Sequence, residues 1–247
     1  MTARDKPLLL SIIVPAYNEE ARITTTLKAI NAFFARKDFG FEIIVVDDGS
    51  RDQTEIVVND LHLNSVRLVS YGQNRGKGYA VNYGVKQAKG QWILFTDADS
   101  STPIGEFDRL WAEIDSDRVI IGSRYLKASH ITVKQGVPRI VISRLGNLLV
   151  QTLILPGIKD SQCGFKLFSA PAAKTIFSRQ TIWRWGFDME ILRIAKEHGL
   201  KIKEVPITWR NDDQSKIQSS RVFTNTLGEL FRITWNSLLG RYQPNRH

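Results

Sequence analysis

Four short apolar runs, each followed by a polar cluster, set the strongest limit on how this chain folds. The runs read as strands and lie at 8–15, 41–46, 66–70 and 91–96. Apolar spacing between them predicts helices over 20–36, from a cap at 50–53 to about residue 63, and over 78–88. Strands alternating with helices of about ten to fifteen residues form βαβ units, so an α/β fold with a mostly parallel sheet is predicted.

The polar clusters all come directly after predicted strands. They are Pro15–Glu19, Asp47–Ser50, Asn74–Gly78 and Asp97–Asp99. Parallel sheets bind ligands beyond the carboxyl ends of their strands, at one edge. We therefore expect the four clusters to meet in one site.

Asp97 and Asp99 carry the sharpest local signal. Residues i and i+2 at a strand end converge on one ligand once the chain turns. Two carboxylates without His or Cys suit Mg²⁺ or Mn²⁺. The competing interpretation is a helix cap beside a solvated acid, and the other clusters at the same edge favour the metal.

The remaining clusters suit a nucleotide, although each also has a purely structural interpretation. Asp48 offers a carboxylate to ribose hydroxyls or a base N–H, or it belongs to a simple Asp-Gly turn. Tyr17 and Glu19 suit a ring and a sugar, or a helix cap. Lys77 lies in a glycine-rich stretch that suits an anion at a helix start. The Walker spacing and a GxGxxG motif after the first strand are both absent, which argues against an NTPase and a classical dinucleotide-binding oxidoreductase.

The net charge of +9 is concentrated in the second half of the chain. No Asp or Glu occurs from Arg118 to Lys159. Such a basic segment attracts phosphates, nucleic acid or an anionic membrane surface. We expect no nucleic-acid partner, because no nucleic-acid-binding motif occurs and the acids at the sheet edge would repel a phosphate backbone.

The apolar segments of the second half are too short to span a bilayer, which takes roughly 18–20 residues. We expect amphipathic helices over 139–155 and 223–239, which either lie on a membrane surface or pack on the domain. A further strand at 119–122, a helix over 187–198 and a strand over 202–209 are predicted.

The single cysteine, Cys163, excludes a disulfide and indicates a reducing, cytoplasmic location. Trp183 and Trp185 are expected in the core, with a sugar platform or a membrane contact as alternatives.

Taken together, these residues resemble the family 2 glycosyltransferases of the GT-A fold, over roughly Leu8–Lys216. The N-terminal resemblance is carried by SIIVPAYNEE, EIIVVDDGSRDQT, NRGKGYAVNYG and DADSST in that order. In the second half, IGSRY, DSQCGFKLF and RWGFDME, together with 139–147, resemble the polyprenyl-phosphate sugar transferases. The sequences of these motifs are most similar to those of dolichyl-phosphate glucosyltransferases, and less similar to those of the mannosyltransferases.

The resemblance implies a nucleotide-sugar half at about 8–117, an acceptor half at about 118–217 and a C-terminal amphipathic helix with a basic tail at 218–247. It implies roles residue by residue. Donor contacts fall on Pro15, Tyr17, Glu19, Val46, Asp48 and Lys77. The metal and diphosphate site falls on Asp97, Ala98 and Asp99, and Ser101 stands where some relatives have another polar metal ligand. Arg124 matches an arginine that contacts the phosphates. Arg210 and Lys216 match a basic pair on a mobile loop that closes over the donor.

The implied reaction is transfer of a sugar, with glucose from UDP-glucose favoured, onto a polyprenyl phosphate with inversion. Asp97, Asp99 and Arg124 are its predicted catalytic residues, and Arg139 and Arg144 its acceptor-phosphate contacts. A lipid monophosphate with a second pKa near 6 is largely dianionic at pH 7 and needs cations rather than a base. One alternative is a soluble or glycan hydroxyl acceptor, which would need a base such as Asp160 or Asp188. The other is a mannosyltransferase using GDP-mannose. We expect a peripheral enzyme on the cytoplasmic face of a membrane, serving protein glycosylation or a cell-envelope glycan.

Overall fold

The computed structural model describes residues 6–114, 118–132, 147, 150–210 and 219–243, with only the backbone of 118 and 219–227. The strands are β1 (Leu8–Ala16), β2 (Gly40–Asp47), β3 (Val66–Ser70), β4 (Trp92–Thr96), β5 (Arg118–Ser123), β6 (His130–Ile131), β7 (Phe165–Ser169), β8 (Lys201–Pro206) and β9 (Thr208–Trp209). The helices are α1 (Ile23–Phe34), α2 (Thr54–Asn59), α3 (Lys77–Gln87), α4 (Phe107–Trp111), α5 (Ala170–Phe177), α6 (Phe187–Glu197) and α7 (Ser219–Leu238).

Seven of these strands form one sheet in the order β3-β2-β1-β4-β7-β5-β8. All its neighbours are parallel except β7, which runs antiparallel to β4 and β5. The predicted α/β class with a mostly parallel sheet is therefore confirmed. The first four predicted strands supply one half of the sheet, and their carboxyl ends share an edge.

Both faces of the sheet are covered, as a parallel sheet requires. Successive side chains of β1 point to opposite faces, so Ile13 joins one buried cluster while Ile12 and Val14 join the other. The strands therefore read as continuous apolar runs rather than as an alternation. The polar residues begin only where each strand ends.

The second half departs from the sequence prediction in its strands, and the short β6 was not predicted. β7 was not predicted, although its residues are all buried, because Lys166 interrupts its apolar run. The strand predicted over 202–209 is two strands. β8 ends at Pro206, and Thr208–Trp209 pairs instead with β6 in a separate two-stranded sheet. Proline has no N–H for a ladder, which accounts for the break.

The predicted helices are present with shifts at their ends, whereas α4 and α5 were not predicted. The segment predicted to reach about residue 63 is helical only as α2, and the C-terminal helix is present as α7. Most of the helix predicted over 139–155 lies outside the described residues, while 150–153 are helical. Within the described parts of the chain, no helix is both long enough and apolar enough to cross a membrane. The domain division near residue 217 stays a prediction.

Candidate active site

The loops after β1 and β2 are joined by hydrogen bonds at the carboxyl edge of the sheet. The backbone N–H of Asn18 donates to Ser50 Oγ at 2.9 Å, and that of Glu19 donates to Thr54 Oγ1 at 2.8 Å. In return, Asn18 Oδ1 accepts from the backbone N–H of Arg51 at 2.8 Å. Two of the predicted clusters are thus held as one surface.

Asp97 and Asp99 lie at the turn that follows β4. Lys77 Nζ is 2.6 Å from Asp97 Oδ1, and this oxygen is shielded from solvent without an aligned hydrogen bond. Asp99 Oδ1 accepts from the backbone N–H of Ser101 at 2.9 Å. Burial first, and the neighbouring charge of Asp97 second, raise the pKa of Asp99. The turn therefore holds two close carboxylates, which is the arrangement predicted for a cation.

The surroundings of Asp97 fit a divalent metal. A Cβ at Gly164 would overlap the carboxylate of Asp97, so only glycine allows the backbone to approach there. Among the described residues, no group of three or more His, Cys, Asp or Glu side chains is placed to hold an ion. Two carboxylates with substrate phosphates completing the shell is the usual Mg²⁺ arrangement. The metal roles of Asp97, Asp99 and Ser101 stay predictions that this geometry suits.

Asp48 is buried, and all its close partners lie within the protein. Its Oδ1 accepts from the Tyr71 hydroxyl at 2.8 Å and the Arg75 N–H at 2.6 Å. Its Oδ2 accepts from Asn74 Nδ2 at 3.0 Å and the Gly76 N–H at 2.9 Å. The carboxylate therefore fixes the loop before α3. These bonds give Asp48 an internal role, and its contact with ribose or base stays a prediction.

Val46 was also predicted to contact the nucleotide sugar. Its side chain has no solvent exposure and packs in the core, where it faces Gly84. Its backbone pairs with β1 and β3 on both sides, so no surface remains for a nucleotide sugar. In contrast, the Tyr17 ring is 40% exposed at the same edge.

The other residues predicted to contact the donor differ in exposure and in their hydrogen-bond partners. Pro15 is partly exposed, and Glu19 pairs with Arg22, whose Nη2 lies 2.8 Å from Glu19 Oε1. Ala98 is buried, and its carbonyl accepts from Thr26 Oγ1 at 2.7 Å. The backbone N–H of Arg210 donates to the carbonyl of Ser101 at 2.8 Å, which brings Arg210 beside the turn of Asp99. Arg139, Arg144 and Lys216 lie outside the described residues.

Arg124 and Asp160 form a buried bidentate pair. Nε and Nη2 of Arg124 donate to the two carboxylate oxygens of Asp160 at 2.7 and 2.8 Å, and the Arg124 N–H adds a third bond of 2.8 Å. Burial alone would raise the pKa of Asp160, but the Arg124 charge and hydrogen bonds hold it below the ordinary value. An acid in this state is a poor proton acceptor, which contradicts Asp160 as a base.

Lys166 and Asp188 form a second ion pair in the interior. The Lys166 side chain is completely buried, and its Nζ donates to Asp188 Oδ1 and, at 2.6 Å, to the carbonyl of Cys163. This lysine therefore neutralises the carboxylate of Asp188 and fixes the backbone next to Gly164. Asp188, the other base considered for a hydroxyl acceptor, is likewise engaged.

Comparison with known proteins agrees with this geometry. A family model described as glycosyl transferase family 2 matches residues 11–177. The chain belongs to glycosyl transferase family 2. It is 37% identical to a Dictyostelium discoideum dolichyl-phosphate beta-glucosyltransferase over 94% of this chain and 76% of that protein. It is 33% identical to the human dolichyl-phosphate beta-glucosyltransferase over 84% of this chain and 69% of that protein.

The solved structures similar to this glycosyltransferase confirm the predicted GT-A fold. Glucosyl-3-phosphoglycerate synthase from Mycobacterium tuberculosis, solved with Mn²⁺, UDP-glucose and glycerol 3-phosphate, has a TM-score of 0.67 at 20% identity. It is matched over 99% of this chain and 83% of that chain. Mannosyl-3-phosphoglycerate synthase from Rubrobacter xylanophilus has a TM-score of 0.65 at 18% identity, over 97% and 77% of the two chains.

Two tryptophans of the glycosyltransferase are more exposed than expected. Trp183 and Trp185 are 38% and 40% exposed, so the core position predicted for them is wrong. The Trp185 ring lies 5.6 Å from Lys77 Nζ and borders the Asp97 site. Cys163, by contrast, is buried, and burial raises the pKa of its thiol to about 12. That thiol stays protonated at neutral pH and is not a nucleophile.

Sequence reasoning gave no specific role to two residues next to the turn of Asp97 and Asp99. Gly164 makes the close approach to Asp97, and Lys166 holds the preceding carbonyl. A signal for Lys166 was present, because it is a lone lysine between apolar residues of the stretch Phe165–Phe168. A charged residue in such a run predicts either an edge strand or a buried ion pair.

Proposed function

We propose that this enzyme moves glucose from UDP-glucose onto a polyprenyl phosphate, with inversion at the sugar C1. The observation that carries the proposal is the locked state of Asp160 and Asp188, each buried and ion-paired. A hydroxyl acceptor would need such an acid as a base, whereas a dianionic phosphate needs none. The relatives named dolichyl-phosphate beta-glucosyltransferase support the same acceptor and sugar.

On the donor side, Asp97 and Asp99 would hold a divalent ion, with Mg²⁺ and Mn²⁺ both suited to two carboxylates. When bound, the ion supplies positive charge against the diphosphate leaving group. Ser101 orients Asp99 through its N–H, and Arg210 lies beside the same turn. Tyr17 offers an exposed ring to the base. Lys216, Pro15 and Glu19 complete the proposed donor contacts.

On the acceptor side, the proposal assigns cations rather than acids. Asp160 fixes the plane of the Arg124 guanidinium and offsets its charge. The acceptor phosphate therefore needs further cations, and Arg139 and Arg144 of the acid-free segment are proposed for that role. An acceptor oxygen attacks C1 while the bond from C1 to the UDP oxygen breaks. The dianionic acceptor carries no proton on that oxygen, so no proton transfer is required.

The membrane contact is proposed for a C-terminal apolar patch, defined as Leu153, Phe231, Trp235, Leu238 and Leu239. All five side chains are more than half exposed, and the rings of Phe231 and Trp235 stack at 6.1 Å. Exposed cations, Arg232 and Arg241, lie on the same helix and just after it. Apolar groups with neighbouring cations suit an anionic bilayer surface, where the lipid acceptor resides. We propose peripheral attachment on a cytoplasmic membrane face.

The proposal is tested by product analysis with purified protein. The protein is mixed with Mg²⁺ or Mn²⁺, a short polyprenyl phosphate and a panel of nucleotide sugars that includes UDP-glucose and GDP-mannose. The organic extract is then analysed by mass spectrometry. We expect one new lipid-phosphate hexose from UDP-glucose. Asp99→Asn should not form it, whereas the control Asp108→Asn, at an exposed acid of α4, should.

Other outcomes would name a different reaction. A product from GDP-mannose alone would replace the donor and keep the acceptor class. Sugar on a soluble acceptor, with no lipid product from any donor, would overturn the lipid assignment. In that case a base other than Asp160 or Asp188 would have to be sought.

A further inference from the structure

Lys77 occupies an unusual place for a surface lysine. It is the first residue of α3, and its Nζ lies 2.6 Å from Asp97 Oδ1. The rings of Phe95 and Trp185 lie 5.3 and 5.6 Å from the same nitrogen. The ammonium is therefore held between two aromatic rings and one carboxylate, at the turn where the metal is proposed to bind.

The position of Lys77 is set by the buried acid Asp48. Asp48 accepts from the N–H of Gly76, the residue just before Lys77. Gly76 has φ +103, and a Cβ there would meet the carbonyl of Trp183, so the turn requires glycine. A chain of contacts thus runs from the end of β2, through Gly76 and Lys77, to Asp97 at the end of β4.

Lys77 and a divalent ion compete for the same oxygen. The Lys77 ammonium, 2.6 Å from Asp97 Oδ1, takes the position that a metal ion bound to this oxygen would occupy. The backbone at Gly164 closes against the same carboxylate and leaves no room for it to turn toward that side. A divalent ion that binds at this position on Oδ1 therefore has to displace the ammonium.

We propose that Lys77 is a placeholder cation, which neutralises Asp97 in the empty enzyme and moves to the donor diphosphate when ion and donor bind. The inference rests on the proposed function in taking Asp97 and Asp99 as the metal ligands. Lysine suits this exchange because its flexible stem moves a compact charge without a fixed geometry. The consequence is that the ion alone binds weakly, while ion and nucleotide sugar bind together.

The exchange predicts opposite effects on metal binding and on turnover. Free Mn²⁺ is measured by electron paramagnetic resonance during titration of protein without nucleotide. We expect Lys77→Met and Lys77→Gln to bind Mn²⁺ roughly tenfold more tightly than the unmodified protein, a typical size for coupling between two ligands. The same variants should lose roughly 10²-fold in kcat/KM with a nucleotide sugar, because one cation at the diphosphate is missing.

Three controls separate competition from a general change in charge. Arg75→Met removes a cation two residues away whose guanidinium lies 4.8 Å from the Tyr79 ring instead, so Mn²⁺ affinity should change at most about twofold. Lys77→Arg keeps the charge and should not tighten Mn²⁺ binding. Asp97→Asn should abolish the binding. Thermal unfolding of each variant verifies that it is folded.

Two results would overturn the inference, and they differ in what else they affect. If Lys77→Met and Lys77→Gln bind Mn²⁺ no more tightly than the unmodified protein, Lys77 is not a placeholder, and the proposed reaction is untouched. If neither the unmodified protein nor any Lys77 variant binds Mn²⁺, both the placeholder and the metal assignment of Asp97 are wrong.

Discussion

The acids at the end of β4 and the acids of the acceptor half differ in how their charge is compensated. Asp97 and Asp99 lie close together and partly exposed, and Lys77 contacts Asp97. Asp160 and Asp188 are almost completely buried, and each has its own buried or half-buried cation. Among the described residues, the two acids of the first pair share one ion pair, whereas each of the second two has its own.

This difference separates ligand sites from structural supports. A buried carboxylate without partners is very costly, so the interior acids are paired with a cation, as in Arg124–Asp160, or accept several hydrogen bonds, as Asp48 and Glu190 do. A paired acid with a lowered pKa neither takes a proton readily nor binds a second cation. A shielded oxygen without an aligned hydrogen bond, as on Asp97, is instead where an added cation is stabilised.

The largest expected effect comes from removing charge at the turn after β4. Asp99→Asn should lower kcat roughly 10³-fold with no comparable loss of stability, because the carboxylate acts on charge that develops during transfer. Initial rates and urea unfolding of the same sample separate the two. Asp108→Asn, an exposed acid on α4, serves as the control. Turnover by Asp99→Asn within about tenfold of the unmodified protein would remove this acid from the catalytic site.

Asp160→Asn should act in the opposite way, chiefly on stability. Leaving Arg124 buried without its partner costs about 3–5 kcal/mol in the free energy of unfolding. The double variant Arg124→Met/Asp160→Leu should recover much of that loss, and urea unfolding measures both. A fully stable Asp160→Asn with an altered pH–rate profile would instead support Asp160 as a base.

The same pair predicts the sign of an acid-dependent stability change. Because the pKa of Asp160 is lowered in the folded state, its contribution is full above the ordinary carboxyl pKa of about 4. The contribution is lost as pH falls below that value, through the lowered pKa. Urea midpoints between pH 7 and pH 3 should therefore fall more for the unmodified protein than for the double variant.

A smaller effect is expected at Glu190, a third buried acid of the acceptor half. Its two oxygens accept from the N–H groups of Thr181 and Ile182 and the hydroxyls of Thr181 and Tyr242, at 2.7 to 3.0 Å. Glu190→Gln turns an amide toward some of these donors and should cost about 1–3 kcal/mol in unfolding free energy. Glu55→Gln on exposed α2 should be neutral. A neutral Glu190→Gln would mean that this acid holds nothing in place.

The smallest effect on chemistry is expected from the C-terminal apolar patch. Phe231→Ser with Trp235→Ser should weaken binding to anionic vesicles roughly tenfold, since buried aromatic area is lost. Turnover of a short, water-soluble polyprenyl phosphate should be unchanged. Ile56→Ser, an exposed apolar residue on α2, is the matched control for co-sedimentation. Unchanged vesicle binding would move the membrane contact to another surface.

The donor half was more predictable from sequence than the acceptor half, and the reason is local. In the first hundred residues each apolar run is followed by its own polar cluster, so strand, turn and site residue are adjacent in sequence. In the acceptor half, the partners are distant. Arg124 pairs with Asp160, and Lys166 with Asp188, only because the folded sheet brings them together. The spacing of these residues in the sequence does not indicate either pair.

The same reason explains why some residues have surroundings that the sequence did not indicate. Val46 and Asp48 stand next to the site in sequence, but one strand position decides whether a side chain faces the core or the edge. Val46 faces the core, and Asp48 is engaged by the loop before α3. β7 was missed because Lys166 breaks its apolar run, and a lysine is seldom fully buried unless paired.

The central claim is that the acceptor is a phosphate and that no carboxylate base takes part. It is tested most directly by comparing a short polyprenyl phosphate with the corresponding polyprenol, which carries a hydroxyl in place of the phosphate. Purified protein is given UDP-glucose and Mn²⁺ with each acceptor, and product is quantified by mass spectrometry. We expect glucosylated product from the phosphate and none from the alcohol. Comparable product from the alcohol would contradict the claim and require a base that the buried, ion-paired Asp160 and Asp188 do not supply.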